Sequence, residues 1–93
     1  MEVGVLGWSY KKTPVELRDK IALSTVEQAE LADRLKKSIP IEELTILSTC
    51  NRTEFYFSAR EINSISSEFL KFLVNRWDWR ELNAQAYQIQ GIE

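Results

Sequence analysis

Two apolar-alternating runs are separated only by Thr49-Cys50-Asn51-Arg52, and that short connection restricts the fold more than any other feature of the chain. Residues 43–49 read as a strand with Leu44 and Ile46 on one face and Thr45 and Leu47 on the other. Residues 53–58 read as a second strand, with Phe55 and Phe57 alternating against Tyr56. A connection this tight allows an antiparallel hairpin and excludes a parallel crossover, which needs a dozen or more residues.

The flanking segments extend the pattern on both sides. Residues 2–8 read as a strand, with Val3 and Val5 on one face and Gly4 and Leu6 on the other. Its glycines suggest close approach of another backbone. Thr13-Pro14-Val15-Glu16 reads as a helix start, with Thr13 as N-cap, Pro14 at the first helical position and Glu16 closing a capping box. A short helix to about Lys20 follows. Ser24-Thr25-Val26-Glu27 is a second capping box, opening a helix that runs to about Lys37. In it Val26, Ala29 and Ala32 fall three apart, with Leu31 and Leu35 alongside, and Lys36 and Lys37 suit the C-terminal end of the dipole. Residues 62–77 carry the clearest helical period, through Ile62, Ile65, Phe69, Phe72 or Leu73, and Trp77. Residues 85–90 alternate as a last strand, with Tyr87 and Ile89 on one side.

The order strand, helix, strand, strand, helix, strand predicts an α+β fold of the ferredoxin-like βαββαβ type. Its antiparallel four-stranded sheet would carry the two main helices on one face. With 93 residues the chain is expected to form one domain, spanning 1–93.

Composition excludes several function classes. No apolar run approaches the roughly 20 residues of a membrane span, and the N-terminus lacks the pattern of a secretory signal. A single cysteine forms no disulfide within the chain, so a reducing, cytoplasmic setting is expected. The net charge of −2 and the pI near 5.2 do not suit an autonomous RNA-binding module. The chain has no histidine, which rules out a Cys-His dyad, a Ser-His-Asp triad and a histidine metal site built from these residues alone, and no metal ligand set is assigned.

Cys50 is the residue with the most chemical potential. It follows an apolar strand, sits in a polar turn, and has Arg52 two residues on, where a cation favours thiolate. The competing reading is a cysteine tucked in at a strand end as a small hydrophobe. Arg52 either grips a carboxylate through its planar fork or forms a surface pair with Glu54, its same-face neighbour. Lys11, Lys12, Arg18 and Lys20 form a basic cluster that suits either an RNA phosphate or plain solvation. Trp8 and Tyr10 offer either stacking surfaces or, as the default, core or rim packing.

Two segments carry a family resemblance. Leu47-Ser48-Thr49-Cys50-Asn51-Arg52-Thr53-Glu54 resembles the signature of glutamyl-tRNA reductases, and residues Gly7 to Arg18 (Gly-Trp-Ser-Tyr-Lys-Lys-Thr-Pro-Val-Glu-Leu-Arg) are similar to that family's first strand and following turn. The spacing between the segments also fits, and the resemblance spans essentially the whole chain. The cysteine motif is specific; the helical stretches are not.

The resemblance implies a mechanism and a set of roles. Cys50 would attack the ester carbonyl of glutamyl-tRNA to form a thioester, and NADPH would reduce it to glutamate-1-semialdehyde for tetrapyrrole biosynthesis. Thr49, Asn51 and Arg52 match the family's substrate-contacting positions, with Arg52 on the glutamate side-chain carboxylate. The resemblance further implies that NADPH binds to a domain not present in this chain. It implies a homodimeric full-length enzyme and a glutamate-1-semialdehyde aminomutase as a partner. Tyr10 stands where family members usually carry histidine, and the family's other histidine falls in a helix beyond this chain. The segment is therefore expected to be the N-terminal catalytic part of the enzyme, cut off before the rest and inactive as a reductase by itself. The alternative is a non-catalytic ferredoxin-like binding or regulatory module related to the reductase.

Overall fold

The computed structural model describes residues 2–77 and 85–92. The chain runs β1 (Glu2–Ser9), α1 (Val15–Ile21), α2 (Thr25–Ser38), β2 (Glu43–Ser48), β3 (Arg52–Ala59), α3 (Ile62–Trp77) and β4 (Tyr87–Ile92). The strands form one antiparallel sheet in the order β2-β3-β1-β4, which is the α+β, ferredoxin-like arrangement expected from the element order.

The pleat sorts the strand residues into two faces. Leu6 opposes Phe55, Gly4 opposes Phe57 and Trp8 opposes Thr53, while Ile46 and Leu44 pair with the same two phenylalanines from β2. Leu6, Trp8, Phe55 and Phe57 join Ile21, Leu31, Leu35, Ile62, Ile65, Phe69 and Leu73 in a single buried cluster. All three helices therefore cover this one face. Each large apolar side chain fully removed from water contributes about 1.5–3 kcal/mol, and the aromatic members add edge contacts such as Trp8 on Trp77, at 5.7 Å and 86°. The other face of the sheet carries Val5, Gly7, Glu54, Tyr56, Tyr87 and Ile89.

Several local expectations are corrected. At α1, Pro14 has φ −57° and ψ 155°, so it is the N-cap rather than the first helical residue, and no side chain caps the helix. Thr13 does not cap it either. Its N–H bonds back to the Ser9 carbonyl at 2.9 Å, closing a turn, and its hydroxyl is buried without a partner. At α2 the capping box forms as expected, with Ser24 Oγ accepting from the Glu27 N–H and Glu27 accepting from the Ser24 N–H. The buried face of α2 is Leu31 and Leu35, however, and Val26 is 67% exposed. The small residues Ala29 and Ala32 bury too little area to decide which side of the helix faces the core. β4 begins at Tyr87, two residues later than the alternation suggests, because pairing with β1 starts at Gly7 opposite Tyr87. A register irregularity between Val3 and Val5 then lets the strand continue to Ile92. The end of the chain at Glu93 lies outside the described residues.

Candidate active site at the hairpin turn

Thr49 organises the turn between β2 and β3. Its N–H donates to the Arg52 carbonyl at 2.8 Å, and its Oγ1 accepts from the N–H groups of Asn51 and Arg52, both at 3.2 Å. Short hydroxyl side chains substitute for backbone acceptors in this way at tight turns. Below the turn, Ser48 Oγ accepts from the Leu23 N–H at 3.0 Å and lies 3.2 Å from Thr53 Oγ1, which donates to the Ile21 carbonyl at 3.4 Å. This partly buried hydroxyl pair fastens the hairpin to the junction between α1 and α2. On the other side, the Tyr10 N–H donates to the Asn51 carbonyl at 2.8 Å and ties the loop after β1 to the turn.

Cys50 stands at the tip of this braced turn as a free, exposed thiol. A cysteine serving as a small hydrophobe is buried, so its exposure favours the chemical reading. Beside it opens a cleft of about 770 Å³. Ser9, Tyr10, Lys11 and Lys12 line one wall, Thr49, Asn51 and Arg52 the other, and Glu54 and Tyr87 the floor. Thr49, Asn51 and Arg52 thus share this cleft, whereas Cys50 is not among its lining residues and is linked to it through its chain neighbours Thr49 and Asn51. Of the basic cluster, Lys11 and Lys12 line this cleft and Arg18 and Lys20 do not. Trp8 is fully buried in the core, whereas Tyr10 is 59% exposed and is one of the residues lining the cleft.

The floor contains what sequence reasoning missed. Arg52 does pair with Glu54, through Nε at 3.2 Å, but this is no ordinary surface pair: the Glu54 side chain is only 10% exposed. Glu54 also accepts hydrogen bonds from the Tyr56 hydroxyl at 2.8 Å and from the Tyr87 hydroxyl. Gly7 makes this possible. A Cβ there would lie 2.8 Å from the Tyr87 oxygen and 2.9 Å from Glu54 Cγ. At Gly4 the close neighbours are likewise side-chain atoms, of Ile62 and Phe57. The glycines of β1 therefore make room for side chains, not for another backbone. The available signal was Gly7 directly opposite Glu54, but it becomes visible only once the strand pairing is known.

Both phenols are held protonated. Desolvation, followed by the hydrogen bond to Glu54, pushes Tyr87 far above its ordinary value of 10.0, and the bond to Glu54 raises Tyr56. They act as donors across neutral pH, and neither serves as a general base. The folded-state value of Tyr87 exceeds the unfolded one, so its contribution to stability is complete below about pH 10 and is lost as pH rises toward the folded value. Denaturant unfolding at a series of alkaline pH values should show the stability gap between the wild-type protein and Tyr87→Phe narrowing above pH 10. A constant gap would mean that the phenol proton is not held by the fold.

Residues 6–93 match the family model described as "Glutamyl-tRNAGlu reductase, N-terminal domain". The glutamyl-tRNA reductase of Geobacillus thermodenitrificans is 36% identical over 86 residues, covering 92% of this chain and 18% of that protein. That of Bacillus subtilis is 36% identical over 85 residues, covering 91% and 18%. The Aquifex aeolicus reductase is 46% identical over 55 residues, covering 59% and 14%. The chain thus spans under a fifth of the length of these relatives. With a family match over nearly its whole length, the chain belongs to the glutamyl-tRNA reductase family and corresponds to its N-terminal domain.

Proposed function

We propose that this chain supplies the acyl-accepting half of a glutamyl-tRNA reductase, with Cys50 as nucleophile. The observation that carries the reading is the exposed thiol on a braced turn whose other residues, Thr49, Asn51 and Arg52, line a cleft. Cys50 Sγ attacks the ester carbonyl carbon of glutamyl-tRNA. The carbon–oxygen bond to the terminal ribose breaks, the ribose hydroxyl leaves with a proton, and a thioester remains on Cys50. Sulfur suits this step because a thioester is more easily reduced than the oxygen ester it replaces. Arg52 takes the substrate's side-chain carboxylate through its guanidinium fork. Asn51 borders the same wall, and Thr49 contributes by holding the turn. Lys11 and Lys12, which line the cleft, offer cations to the acceptor end of the RNA. With a net charge of −2, the rest of the phosphate contacts fall to other parts of the enzyme.

The residues here do not fit NADPH. Dinucleotide sites use a glycine-rich turn from a parallel strand into a helix. In this chain β1 passes through residues 10–14 into α1 without a glycine, and Gly4 and Gly7 lie within the strand. Reduction of the thioester to glutamate-1-semialdehyde therefore belongs to a nucleotide-binding domain elsewhere in the enzyme, and these residues alone are inactive as a reductase. On the same reading the complete enzyme is a cytoplasmic homodimer that passes its semialdehyde to a glutamate-1-semialdehyde aminomutase. Among the described residues no helix is long and apolar enough to cross a membrane.

Replacing Arg52 by lysine in the complete enzyme tests the reading. The charge stays but the fork is lost, and hydrogen bonds between charged groups contribute about 1.5–3 kcal/mol where water is excluded. We expect kcat/KM for glutamyl-tRNA to fall about 10- to 100-fold with little change in melting temperature. An unchanged kcat/KM together with a normal melting curve would reduce Arg52 to a surface residue.

A further inference from the structure

We propose that Glu54 is a positioning residue for Arg52, held in place by Tyr56 and Tyr87, and that this arrangement sets selectivity for a side-chain carboxylate over the corresponding amide. The inference rests on the substrate reading given above and goes beyond it, since it assigns roles to residues outside the cysteine turn.

The placement follows from the strand pairing. Tyr87 of β4 opposes Gly7 of β1, Gly7 opposes Glu54 of β3, and Ser9 opposes Arg52 one step further along the same face. Because Gly7 has no side chain, Tyr87 reaches across it to Glu54. Tyr56 reaches Glu54 from two residues along β3. Three donors thus converge on one carboxylate: two phenolic O–H groups and the Arg52 Nε–H. An ionised carboxylate accepts at both oxygens and donates at neither, so it satisfies all three. A glutamine would turn its NH₂ toward one of these partners, so that a phenol would have to accept rather than donate, and the charge facing Arg52 would be lost.

The pairing also orients the guanidinium. Arg52 meets Glu54 through Nε, and on this proposal its terminal Nη1/Nη2 fork is the part offered to the substrate. Arg52 itself is half exposed and lines the cleft, whereas Glu54 is buried beneath it. An exposed arginine without such an anchor samples many rotamers and meets a carboxylate or an amide with less geometric discrimination. Anchored at Nε, the fork presents two parallel N–H groups in a fixed direction. A carboxylate accepts both, whereas an amide offers one oxygen and one mismatched NH₂.

The test uses the complete reductase and one tRNA charged with either glutamate or glutamine. The ratio of the two kcat/KM values is the readout, since a general loss of fold lowers both alike. Glu54→Gln and Tyr87→Phe are measured beside Arg52→Lys, with melting temperature and Cys50 alkylation by iodoacetamide as controls. Tyr87→Phe removes one oxygen only and keeps the variant set informative if Glu54→Gln folds poorly. We expect the ratio to fall about tenfold or more in Glu54→Gln and a few-fold in Tyr87→Phe, in keeping with the loss of charge-assisted hydrogen bonds. Alkylation of Cys50 should be unchanged. If Arg52→Lys lowers the ratio but Glu54→Gln and Tyr87→Phe leave it at the wild-type value, the positioning role is overturned and the substrate reading stands. If both substrates lose activity equally in Glu54→Gln, Glu54 is merely structural and the proposal fails. If Arg52→Lys itself leaves the ratio unchanged, the carboxylate-binding role of Arg52 fails, and the positioning role with it.

Discussion

Cys50→Ser in the complete enzyme is expected to abolish semialdehyde formation, with a loss on the order of 10³-fold or more, as befits removal of a covalent nucleophile. A serine hydroxyl is almost entirely un-ionised at neutral pH and needs an adjacent base. These 93 residues supply no histidine for that role, Tyr56 and Tyr87 hold their protons tightly, and a base brought from elsewhere in the enzyme would still face a far weaker nucleophile than a thiol. Even a slow acyl transfer to serine would give an oxygen ester, with no gain in reducibility over the substrate. The same substitution should leave stability within about 0.5 kcal/mol, because surface positions away from caps and networks tolerate change. Cys50 is exposed, and the hydrogen bonds that hold its turn run through Thr49 and backbone groups. Semialdehyde assays and thermal melts on the same preparations separate the two effects. Retained activity would remove Cys50 from the chemistry; a large drop in melting temperature would make it structural.

Phe55→Ala should have the opposite profile, with stability lost first and activity lost as a consequence. Phe55 is fully buried and contacts three other rings: Phe69 at 5.3 Å, and Trp8 and Trp77 both at 6.4 Å. Truncating a buried phenylalanine costs about 3–5 kcal/mol through lost transfer energy and the cavity left behind. Small domains hold only about 5–15 kcal/mol in total, so much of the margin goes. Phe55 is also next to Glu54, so repacking the core beneath it disturbs the cleft floor. Val26→Ala, at a 67% exposed position, provides the control and should change stability by no more than about 0.5 kcal/mol. Comparable losses at both positions would mean that the buried face of α2 is not the one formed by Leu31 and Leu35.

These two positions also mark what was legible in the sequence. The hairpin was readable because Leu44, Ile46, Phe55 and Phe57 alternate across a very short turn, and α3 because large apolar residues recur at helical spacing from Ile62 to Trp77. Ser24 and Glu27 announced α2 through local chemistry, and they form the capping box expected. Where signals depended on small or rigid residues, the reading slipped. Ala29 and Ala32 could not fix the face of α2, and Thr13-Pro14 had the composition of a cap but closes a turn on Ser9. The turn residues Thr49, Cys50, Asn51 and Arg52 are contiguous in the chain, so the sequence displays them together. The cleft floor is not: Tyr87, Gly7 and Glu54 come from three strands and meet only through β-sheet register.

The central claim, that Cys50 accepts the acyl group, is tested most directly by mass spectrometry of the complete enzyme mixed with glutamyl-tRNA in the absence of NADPH and quenched in acid. The account predicts a mass gain of one glutamyl group, confined to the peptide carrying Cys50, released by hydroxylamine and missing from Cys50→Ser. A glutamyl adduct on any other residue, or semialdehyde formed on later addition of NADPH without any adduct on Cys50, would contradict it.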